Sequence, residues 1–416
     1  MKTISIVGLG VAENALLSDE AKNALTKADL VIGSPRQLLT LANLLSTQKT
    51  AQLPKLNVLE ALIESENHVV VLGSGDPLYY GIGSWLSKHF STSDLHFYPA
   101  ISSITQACHR LAVGQQDVTV VSLHGRPLAK LKVELKANKT LLLLTDKQSQ
   151  PSQIARLCLA TGFEQAEIIV CECLGYNNQK VSRFTATALA QSQQNFDALH
   201  VSFVICHQNQ GYLPEFPGIK DEHFETGKLG SKGMISKREV RLAVLSLLQL
   251  SKDDLLWDIG AGCGGVAVEL AYWQPKATVY AIEHNQQRFD CLVKNCHKFG
   301  VISNLNTIYG RAPEVLSELP NANKVFIGGS DGELPSLLCM LWETLPEGGQ
   351  IVISAVMEST KSQLLAFYAQ RTDRDDCLSE TLQIAINKGS TLAGQLVYRP
   401  ALPVNLFSFI KRNKTS

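Results

Sequence analysis

The chain has 416 residues, of which 45% are hydrophobic and 18% charged, and its 38 Lys plus Arg balance 38 Asp plus Glu. These values are typical of a globular protein of roughly two or three domains, and they give no basic field to attract nucleic acid or an anionic membrane surface. No run of about 18 apolar residues predicts a membrane span, and the amino terminus lacks the pattern of a secretory signal. We therefore expect a cytoplasmic protein with neither nucleic acid nor membrane as partner.

The ten cysteines are scattered along the chain, and no two of them have the CxxC spacing of a metal or redox motif. A chain of this length buries enough apolar surface to fold without disulfide bonds. We expect free thiols in a reducing compartment and no metal site.

The first half alternates short apolar runs with helical segments. Residues 18–27 and 35–45 carry apolar side chains at helical spacing. Buried strands are predicted at residues 4–7, 30–32, 69–72, 95–98, 118–122, 140–144, 167–171 and 201–206. Such alternation predicts an α/β architecture.

A stretch with turn and linker character, residues 209–217, separates two halves that differ in their motifs. We therefore predict one domain at residues 1–208 and a second at 218–416. The second domain begins a new α/β series, with helices at 237–249 and 266–272. Its predicted strands are at residues 255–259, 278–282, 304–309, 324–327 and 350–355.

A glycine-rich turn, Gly260-Ala261-Gly262-Cys263-Gly264, follows the strand at 255–259 and precedes a helix. Glycine permits positive φ and lets the main chain approach a ligand closely, and the helix amino terminus adds N–H donors. Glu283 ends the next strand about 20 residues later, where an acidic side chain accepts hydrogen bonds from ribose hydroxyls. Together these features predict a nucleotide-type cofactor site.

Dinucleotide-dependent enzymes have the same order of strand, glycine-rich turn, helix and acidic residue, and they are the competing interpretation. However, Asp258, two residues before the first glycine, resembles the first motif of class I methyltransferases. The loop Gly310-Arg311-Ala312-Pro313 also follows a strand at the point where those enzymes contact adenine. S-adenosylmethionine is therefore the predicted cofactor, bound by Gly260, Ala261, Gly262, Cys263, Gly264, Glu283 and Ala312.

Residues 233–241, Gly-Met-Ile-Ser-Lys-Arg-Glu-Val-Arg, resemble the G-L-I-T-K-R-E-V-R element of the precorrin decarboxylating methyltransferases of cobalamin biosynthesis. Ser236 keeps the hydroxyl of the family's Thr, and the resemblance implies that it binds the cofactor. Asp331 stands where the family often has Gly. The resemblance implies a class I Rossmann-like domain that methylates carbon 15 of the substrate and removes its carbon-12 acetate carboxyl as CO₂. Further similar elements lie at residues 218–224, 257–264 and 325–330.

The first half resembles the class III tetrapyrrole methyltransferases in its segments 6–10, 73–83, 98–103 and 121–126. This resemblance implies a two-lobed domain that methylates carbon 5, with the cofactor in the cleft between the lobes. Residues 11–14 depart from the family's usual Pro-Gly continuation, and His200 replaces a common Asn. The implied cofactor-binding residues are Leu9, Gly10, Gly75, Asp76, Ser102, Ser103 and Leu123.

The whole chain thus resembles the two-domain precorrin-6Y C5,15-methyltransferase (decarboxylating) family, which implies one S-adenosylmethionine per domain and a homo-oligomer, either dimer or tetramer. Methyl transfer needs alignment and exclusion of water more than a triad, so no catalytic side chain is assigned. A tetrapyrrole polycarboxylate needs local cations. The candidates, which compete with a solvated helix face or a simple turn cap, are Lys237, Arg238, Arg241, Arg311, His124 and Arg126.

Two alternatives remain open at the level of sequence. The same chemistry could act on the cobalt-containing precorrins, which belong to a different pathway. Alternatively, the first domain could have lost cofactor binding at residues 11–14 and serve only as a scaffold.

Overall fold

The computed structural model describes residues 2–11, 13–45, 47–227 and 235–412. The chain forms two compact units: Met1–Leu128 with Ala137–Gly211, and Ala129–Lys136 with Tyr212–Ser416. The change of unit after residue 211 falls inside the predicted linker. Within the described ranges, no helix has the length and apolar character needed to cross a membrane.

The sequence does not predict that residues 129–136 pack with the second unit. The Lys136 ammonium donates to the Pro214 carbonyl at 2.5 Å and to the Tyr272 hydroxyl at 2.8 Å, and it lies over the ring of Trp273 at 4.6 Å. Such contacts join residues far apart in the chain, so they leave no periodic signal in the local sequence.

The first lobe of the first unit contains a five-stranded parallel sheet in the order β3-β2-β4-β1-β5. Its strands are β1 Thr3–Gly8, β2 Leu30–Gly33, β3 Lys49–Gln52, β4 His68–Gly73 and β5 Leu95–Tyr98. Its helices are α1 Asp19–Thr26, α2 Pro35–Thr40, α3 Leu56–Glu64 and α4 Gly83–His89. Each predicted strand is confirmed, whereas the helix predicted at 35–45 already ends at Thr40.

The second lobe contains a five-stranded sheet in the order β6-β7-β10-β8-β9, in which only β6 and β7 pair in parallel. Its strands are β6 Thr119–Ser122, β7 Thr140–Leu144, β8 Glu167–Glu172, β9 Lys180–Thr185 and β10 His200–Ile205. Its helices are α5 Ser103–Leu111, α6 Pro151–Ala160 and α7 Ala186–Gln191. The buried apolar runs of β7, β8 and β10 form its core.

The second unit contains a seven-stranded sheet in the order β13-β12-β11-β14-β15-β19-β16, and only the pairs that involve β19 are antiparallel. The parallel strands are β11 Leu255–Ile259, β12 Thr278–Glu283, β13 Leu305–Tyr309, β14 Lys324–Ile327 and β15 Gln350–Ala355. The helices are α8 Arg238–Leu248, α9 Gly265–Trp273, α10 Gln286–Phe299, α11 Leu334–Thr344 and α12 Glu358–Arg374. All five predicted strands are confirmed.

The end of the chain adds antiparallel strands that the sequence does not predict. Strands β16 Cys377–Ile384 and β19 Val404–Lys411 complete the large sheet, and β17 Asn387–Leu392 and β18 Gln395–Pro400 form a separate hairpin. Most side chains of the hairpin are exposed, so it has no continuous apolar run by which to recognise it. Single 3₁₀ turns occur at Thr92–Asp94, Gln115–Asp117, Leu128–Val133, Asp221–His223 and Glu314–Glu318.

Candidate active sites

The glycine-rich turn joins β11 to α9 in the second unit. Gly260, Gly262 and Gly264 have φ of 71°, 59° and 84°. A Cβ at Gly260 would lie 2.6 Å from the carbonyl oxygen of Gly329, which follows β14, so only glycine lets these two strand ends approach so closely. The turn, including Ala261 and Cys263, therefore lies at the carboxyl ends of adjacent parallel strands, where open α/β sheets bind their ligands.

Glu283 lies at the end of β12 and crosses to this turn. Its carboxylate is 2% exposed and accepts hydrogen bonds from the main-chain N–H groups of Gly262 and Asn285, both at 2.8 Å. A carboxylate has about four acceptor sites on its two oxygens, so it can take further donors. The predicted ribose-binding carboxylate is thus fixed against the glycine turn with acceptor capacity remaining.

Asp258 lies below the turn, inside β11, and is almost fully buried. One oxygen accepts from the Ala267 N–H at 3.0 Å, and the other has no hydrogen-bond partner. Burial raises the pKa of Asp258 to about 7, against the opposing effect of the hydrogen bond from Ala267 and with a smaller contribution from the charge of Glu283. The residue therefore links the turn to the start of α9 while carrying a proton more readily than an ordinary aspartate.

The loop at residues 310–312 and two polar residues enclose a small cavity of about 20 Å³ beside Gly260. Arg311 and Ala312 line it from one side. The His284 ring nitrogen Nε2 lies 3.2 Å from a carboxylate oxygen of Asp331 on its other side. Asp331 has φ of 45°, in the left-handed region that favours glycine. Arg311 and Ala312 therefore lie where the sequence predicts them, at the rim of the second unit's pocket.

The family element at residues 233–241 is described from residue 235 onward, and Gly233 and Met234 lie outside the described residues. Ile235 packs against the start of α9, because a Cβ at Gly265 would lie 2.6 Å from its side chain. Ser236 follows it directly, which brings this hydroxyl-bearing residue close to the glycine-rich turn. Lys237 and Arg238 begin α8, and their side chains are 51% and 45% exposed. Each also lies near a carboxylate, Lys237 at 3.7 Å from Asp221 and Arg238 at 3.6 Å from Glu239, so a substrate carboxylate would compete with these exposed ion pairs.

Arg241 is the prediction that the structure contradicts. It is fully buried, and its guanidinium donates to Glu269 at 2.8 Å and to Asp221 at 2.6 Å. It also donates to the main-chain carbonyls of Ser236 and Ile219. The prediction failed because spacing on a helix shows which residues share a face but not whether that face is covered. Arg241 holds the element together and has no free donor edge for a substrate carboxylate.

A cavity of about 910 Å³ lies between the two lobes of the first unit. Four of the predicted residues line it: Gly10, Ser103, His124 and Arg126. His200 also lines it, with one ring nitrogen 2.8 Å from the Thr145 hydroxyl. The cleft of the first unit thus brings together segments that are distant in sequence, as expected for a two-lobed methyltransferase.

The other predicted residues of the first unit are not among those that line this cavity. Leu9 and Leu123 are buried. Ser102 caps α5 by accepting from the Thr105 N–H at 3.1 Å, and a Cβ at Gly75 would lie 2.6 Å from the Cα of Ser102. Asp76 accepts from the Leu78 N–H at 2.8 Å. Because the side chains of Leu9 and Leu123 are buried, any contact of these two residues with a cofactor would come from their main chain.

The altered loop at residues 11–14 begins with Val11, which lines the cavity; Ala12 lies outside the described residues. The Glu13 carboxylate accepts from the main-chain N–H of Asn177 at 3.4 Å and from its side-chain amide at 3.3 Å. Glu13, directly after the two altered positions, therefore makes a polar contact between the two lobes.

Several residues that line the cavity are not predicted from the sequence, among them Arg36, Trp85, Lys88 and Tyr176. Arg36 and Lys88 lie on α2 and α4, outside every motif that marks the cofactor loops. Their signal in the sequence is only that of an ordinary charged residue on a helix, which usually faces solvent.

Comparison with known proteins supports two methyltransferase domains. The family model described as "Tetrapyrrole (Corrin/Porphyrin) Methylases" matches residues 3–190, and the one described as "Precorrin methyltransferase domain" matches residues 228–411. A precorrin-6Y C(5,15)-methyltransferase (decarboxylating) of Sinorhizobium sp is 32% identical over 412 residues, which are 98% of this chain and 96% of that protein. This chain belongs to the precorrin-6Y C(5,15)-methyltransferase (decarboxylating) family. The predicted family and enzyme class, a methyltransferase, are therefore confirmed.

Other relatives match the whole chain or part of it. A protein of the same name from Mycobacterium tuberculosis (strain CDC 1551 / Oshkosh) is 29% identical over 98% of this chain and all of its own. A shorter protein of Pyrobaculum calidifontis, named "Probable cobalt-precorrin-6B C(15)-methyltransferase (decarboxylating)", is 32% identical over 46% of this chain and 95% of its own length. The family therefore has relatives of full length and of about half that length.

Proposed function

We propose that this chain is an S-adenosylmethionine-dependent C-methyltransferase of cobalamin biosynthesis that methylates a precorrin-6-type tetrapyrrole at carbons 5 and 15. It also decarboxylates the carbon-12 acetate, giving a precorrin-8-type product. The observation that carries this proposal is the match over 98% of the chain to a relative whose name includes both methylations and the decarboxylation. The ten free cysteines fit a reducing cytoplasm, where we place the enzyme.

We assign carbon 5 to the first unit, as a class III domain, and carbon 15 with the decarboxylation to the second, as a class I Rossmann-like domain. The Pyrobaculum relative supports this division, because its name joins carbon-15 methylation to decarboxylation in a protein that matches 46% of this chain. The precorrin methyltransferase model matches residues 228–411, which lie in the second unit. The order of the parallel strands, with β11 at the centre and crossovers to both sides, also supports a Rossmann-like fold.

Each unit has a site that fits S-adenosylmethionine, which supplies an electrophilic methyl group when bound. In the second unit the turn from Gly260 to Gly264 offers close main-chain approach and Glu283 offers acceptors for the ribose. Ala312, which lines the cavity beside Gly260, and Ser236 are the further proposed contacts. In the first unit, Gly10 and Ser103 line a cleft of about 910 Å³. Sites of this volume are typical of small-molecule clefts. We therefore propose one cofactor per unit.

The chain itself has to align the substrate carbon and exclude water, because the cofactor carries its own leaving group. We propose that loss of CO₂ and methylation at carbon 15 share one pocket, since CO₂ loss leaves an electron-rich system. Arg311 at the pocket rim and the exposed Lys237 and Arg238 are the proposed carboxylate contacts of the second unit. His124 and Arg126 are those of the first unit.

The test uses the full chain with S-adenosylmethionine and a metal-free precorrin-6-type substrate, and mass spectrometry counts the added methyls and the lost CO₂. The unmodified chain should add two methyls and lose one CO₂. Glu283→Ala should stop methylation at carbon 15, and Ser103→Trp, which places a large side chain in the cleft, should stop methylation at carbon 5. If Glu283→Ala instead removes the carbon-5 methyl, the division between the units is wrong.

The metal state of the substrate needs a separate comparison, because the shorter relative's name refers to a cobalt-precorrin. Parallel assays with metal-free and cobalt-loaded substrate give the ratio of kcat/KM for the two series. Calorimetry with S-adenosylhomocysteine counts the cofactor sites: two per chain exclude the scaffold alternative, and one supports it.

We also propose a homo-oligomer, either dimer or tetramer. The support is the hairpin of β17 and β18, on which Leu392, Leu396 and Tyr398 are 57%, 68% and 70% exposed. Sedimentation of the full chain at several concentrations measures the oligomeric state, and a monomer at all of them would contradict the proposal.

A further inference from the structure

The cavity of the first unit is lined by charged side chains of only one sign. Arg36, Lys88 and Arg126 line it together with His124 and His200, and none of the residues described along its wall is Asp or Glu. The chain as a whole has equal numbers of acidic and basic residues. A concave site with uncompensated cations concentrates positive potential and attracts anions. The cavity therefore has a positive local potential although the net charge of the chain is zero.

The two arginines among these cations have neutral partners. Arg36 donates to the Tyr176 hydroxyl at 2.8 Å and to the Ser74 hydroxyl at 3.3 Å, and Arg126 donates to the Ser122 carbonyl at 3.4 Å. Within the described ranges neither arginine forms an ion pair, and the same holds for Lys88. A guanidinium whose partners are neutral has no carboxylate to offset its charge, so it still attracts the carboxylate of a ligand. This arrangement is the opposite of Arg241, whose donors are occupied by two carboxylates.

The three cations come from three separate elements. Arg36 lies in the first turn of α2, Lys88 lies in the last turn of α4, and Arg126 lies in the loop after β6. Arg36 is held from both lobes at once, since Ser74 follows β4 in the first lobe and Tyr176 follows β8 in the second. Holding a side chain in place before the ligand arrives reduces the entropy lost on binding. The arrangement suits a broad ligand with several carboxylates better than one with a single anionic group.

We propose that Arg36, Lys88 and Arg126 bind the acetate and propionate carboxylates of the tetrapyrrole, and that Arg36, oriented by Tyr176, sets which edge of the macrocycle faces the methyl donor. This inference rests on the proposed function of the first unit and names the residues that select its substrate. A macrocycle with fewer carboxylates loses contacts in this cavity and binds more weakly. The three cations therefore act on recognition of the tetrapyrrole and leave binding of the cofactor unchanged.

The test compares Arg36→Gln, Lys88→Gln and Arg126→Gln in the full chain. Each arginine variant should raise the KM for the tetrapyrrole in carbon-5 methylation by about 10- to 100-fold, as expected for a lost hydrogen bond to a charged group. The Kd for S-adenosylhomocysteine and the rate of carbon-15 methylation should stay within about twofold. Tyr176→Phe, which keeps the ring, should raise the same KM by a smaller factor. Arg156→Gln and Lys55→Gln, at exposed cations outside the cavity, should change nothing.

A second readout does not depend on turnover. Uroporphyrin carries acetate and propionate side chains, whereas coproporphyrin carries only the propionates, and both fluoresce. Uroporphyrin should bind the unmodified chain with a lower Kd than coproporphyrin does. The arginine variants should reduce the ratio of these two Kd values. The proposal is overturned if the variants leave both the KM and this ratio unchanged, or if they weaken cofactor binding as much as tetrapyrrole binding. An unmodified chain that adds no methyl at carbon 5 refutes the proposed function instead, and the porphyrin titration still tests the cations.

Discussion

Replacing Arg241 by Met should lower the free energy of unfolding of the second unit rather than weaken its binding of substrate. Arg241 and Glu269 are both fully buried and lie 2.8 Å apart. Removal of one partner of such a pair costs about 3–5 kcal/mol, because the other charge stays buried. Glu269 keeps hydrogen bonds from the N–H groups of Gly218 and Ile219 at 2.8 and 3.1 Å, and Asp221 is partly solvated. We therefore expect a loss at the lower end, about 3 kcal/mol.

Urea denaturation followed by tryptophan fluorescence measures this loss. The chain has four tryptophans, and Trp85 is the one in the first unit, so a Trp85→Phe background makes the signal report on the second unit alone. Arg238→Met is the matched control, because it removes an exposed cation from the same helix and should change the free energy of unfolding by less than about 0.5 kcal/mol. Adding Glu269→Gln to Arg241→Met should destabilise less than the sum of the two single changes.

The opposite pattern would refute this reasoning. If Arg241→Met leaves the unfolding midpoint of the second unit unchanged but raises the KM for the tetrapyrrole, the guanidinium contacts substrate and the buried network is not its main role. Strict additivity with Glu269→Gln would likewise show that the two side chains do not stabilise each other.

Three further predictions concern the proposed cofactor site of the second unit. Glu283→Gln should raise the Kd for S-adenosylhomocysteine at this site by about 10- to 100-fold and leave the first site unchanged, as measured by calorimetry; equal weakening of both sites would contradict it. Gly260→Ala should destabilise the second unit by about 1–3 kcal/mol in urea, because its Cβ would meet the Gly329 carbonyl and its φ is positive; an unchanged midpoint would show that the turn can relax. Burial raises the pKa of Asp258 to about 7, so between about pH 4 and pH 7 the folded unit holds a proton that the unfolded chain has lost. The free energy of unfolding of the second unit in urea should therefore fall as the pH rises from about 4 to 7. Asp258→Asn should remove this fall.

The sequence alone predicts the buried strands well, and it also predicts the glycine-rich turn of the second unit's proposed cofactor site. The predicted strands at 255–259, 324–327 and 350–355 agree with the structure at both ends, because a strand covered on both faces has a continuous apolar run. The glycine-rich turn and Glu283 are also local, since a strand, a turn and the end of the next strand follow one another in the chain.

Elements without such a local signal were not predicted. The hairpin of β17 and β18 is mostly exposed, so polar and apolar residues mix along it. The segment at residues 129–136 packs with the second unit through contacts to residues far along the chain, such as Lys136 with Tyr272. The hairpin therefore lacks an apolar run by which to recognise it, although its two strands are close in the chain, whereas the segment at residues 129–136 depends on contacts that form only when distant parts of the chain meet.

The arginines show what only the tertiary structure decides. The sequence identifies Arg241 by its place in a family motif and gives no reason to single out Arg36. In the fold, Arg241 meets Glu269, 28 residues away, and is buried, whereas Arg36 meets Tyr176, 140 residues away, and faces a cavity. The sequence determines that both side chains are cations. Whether a cation holds the protein together or faces a ligand depends on partners and solvent exposure, which exist only after folding.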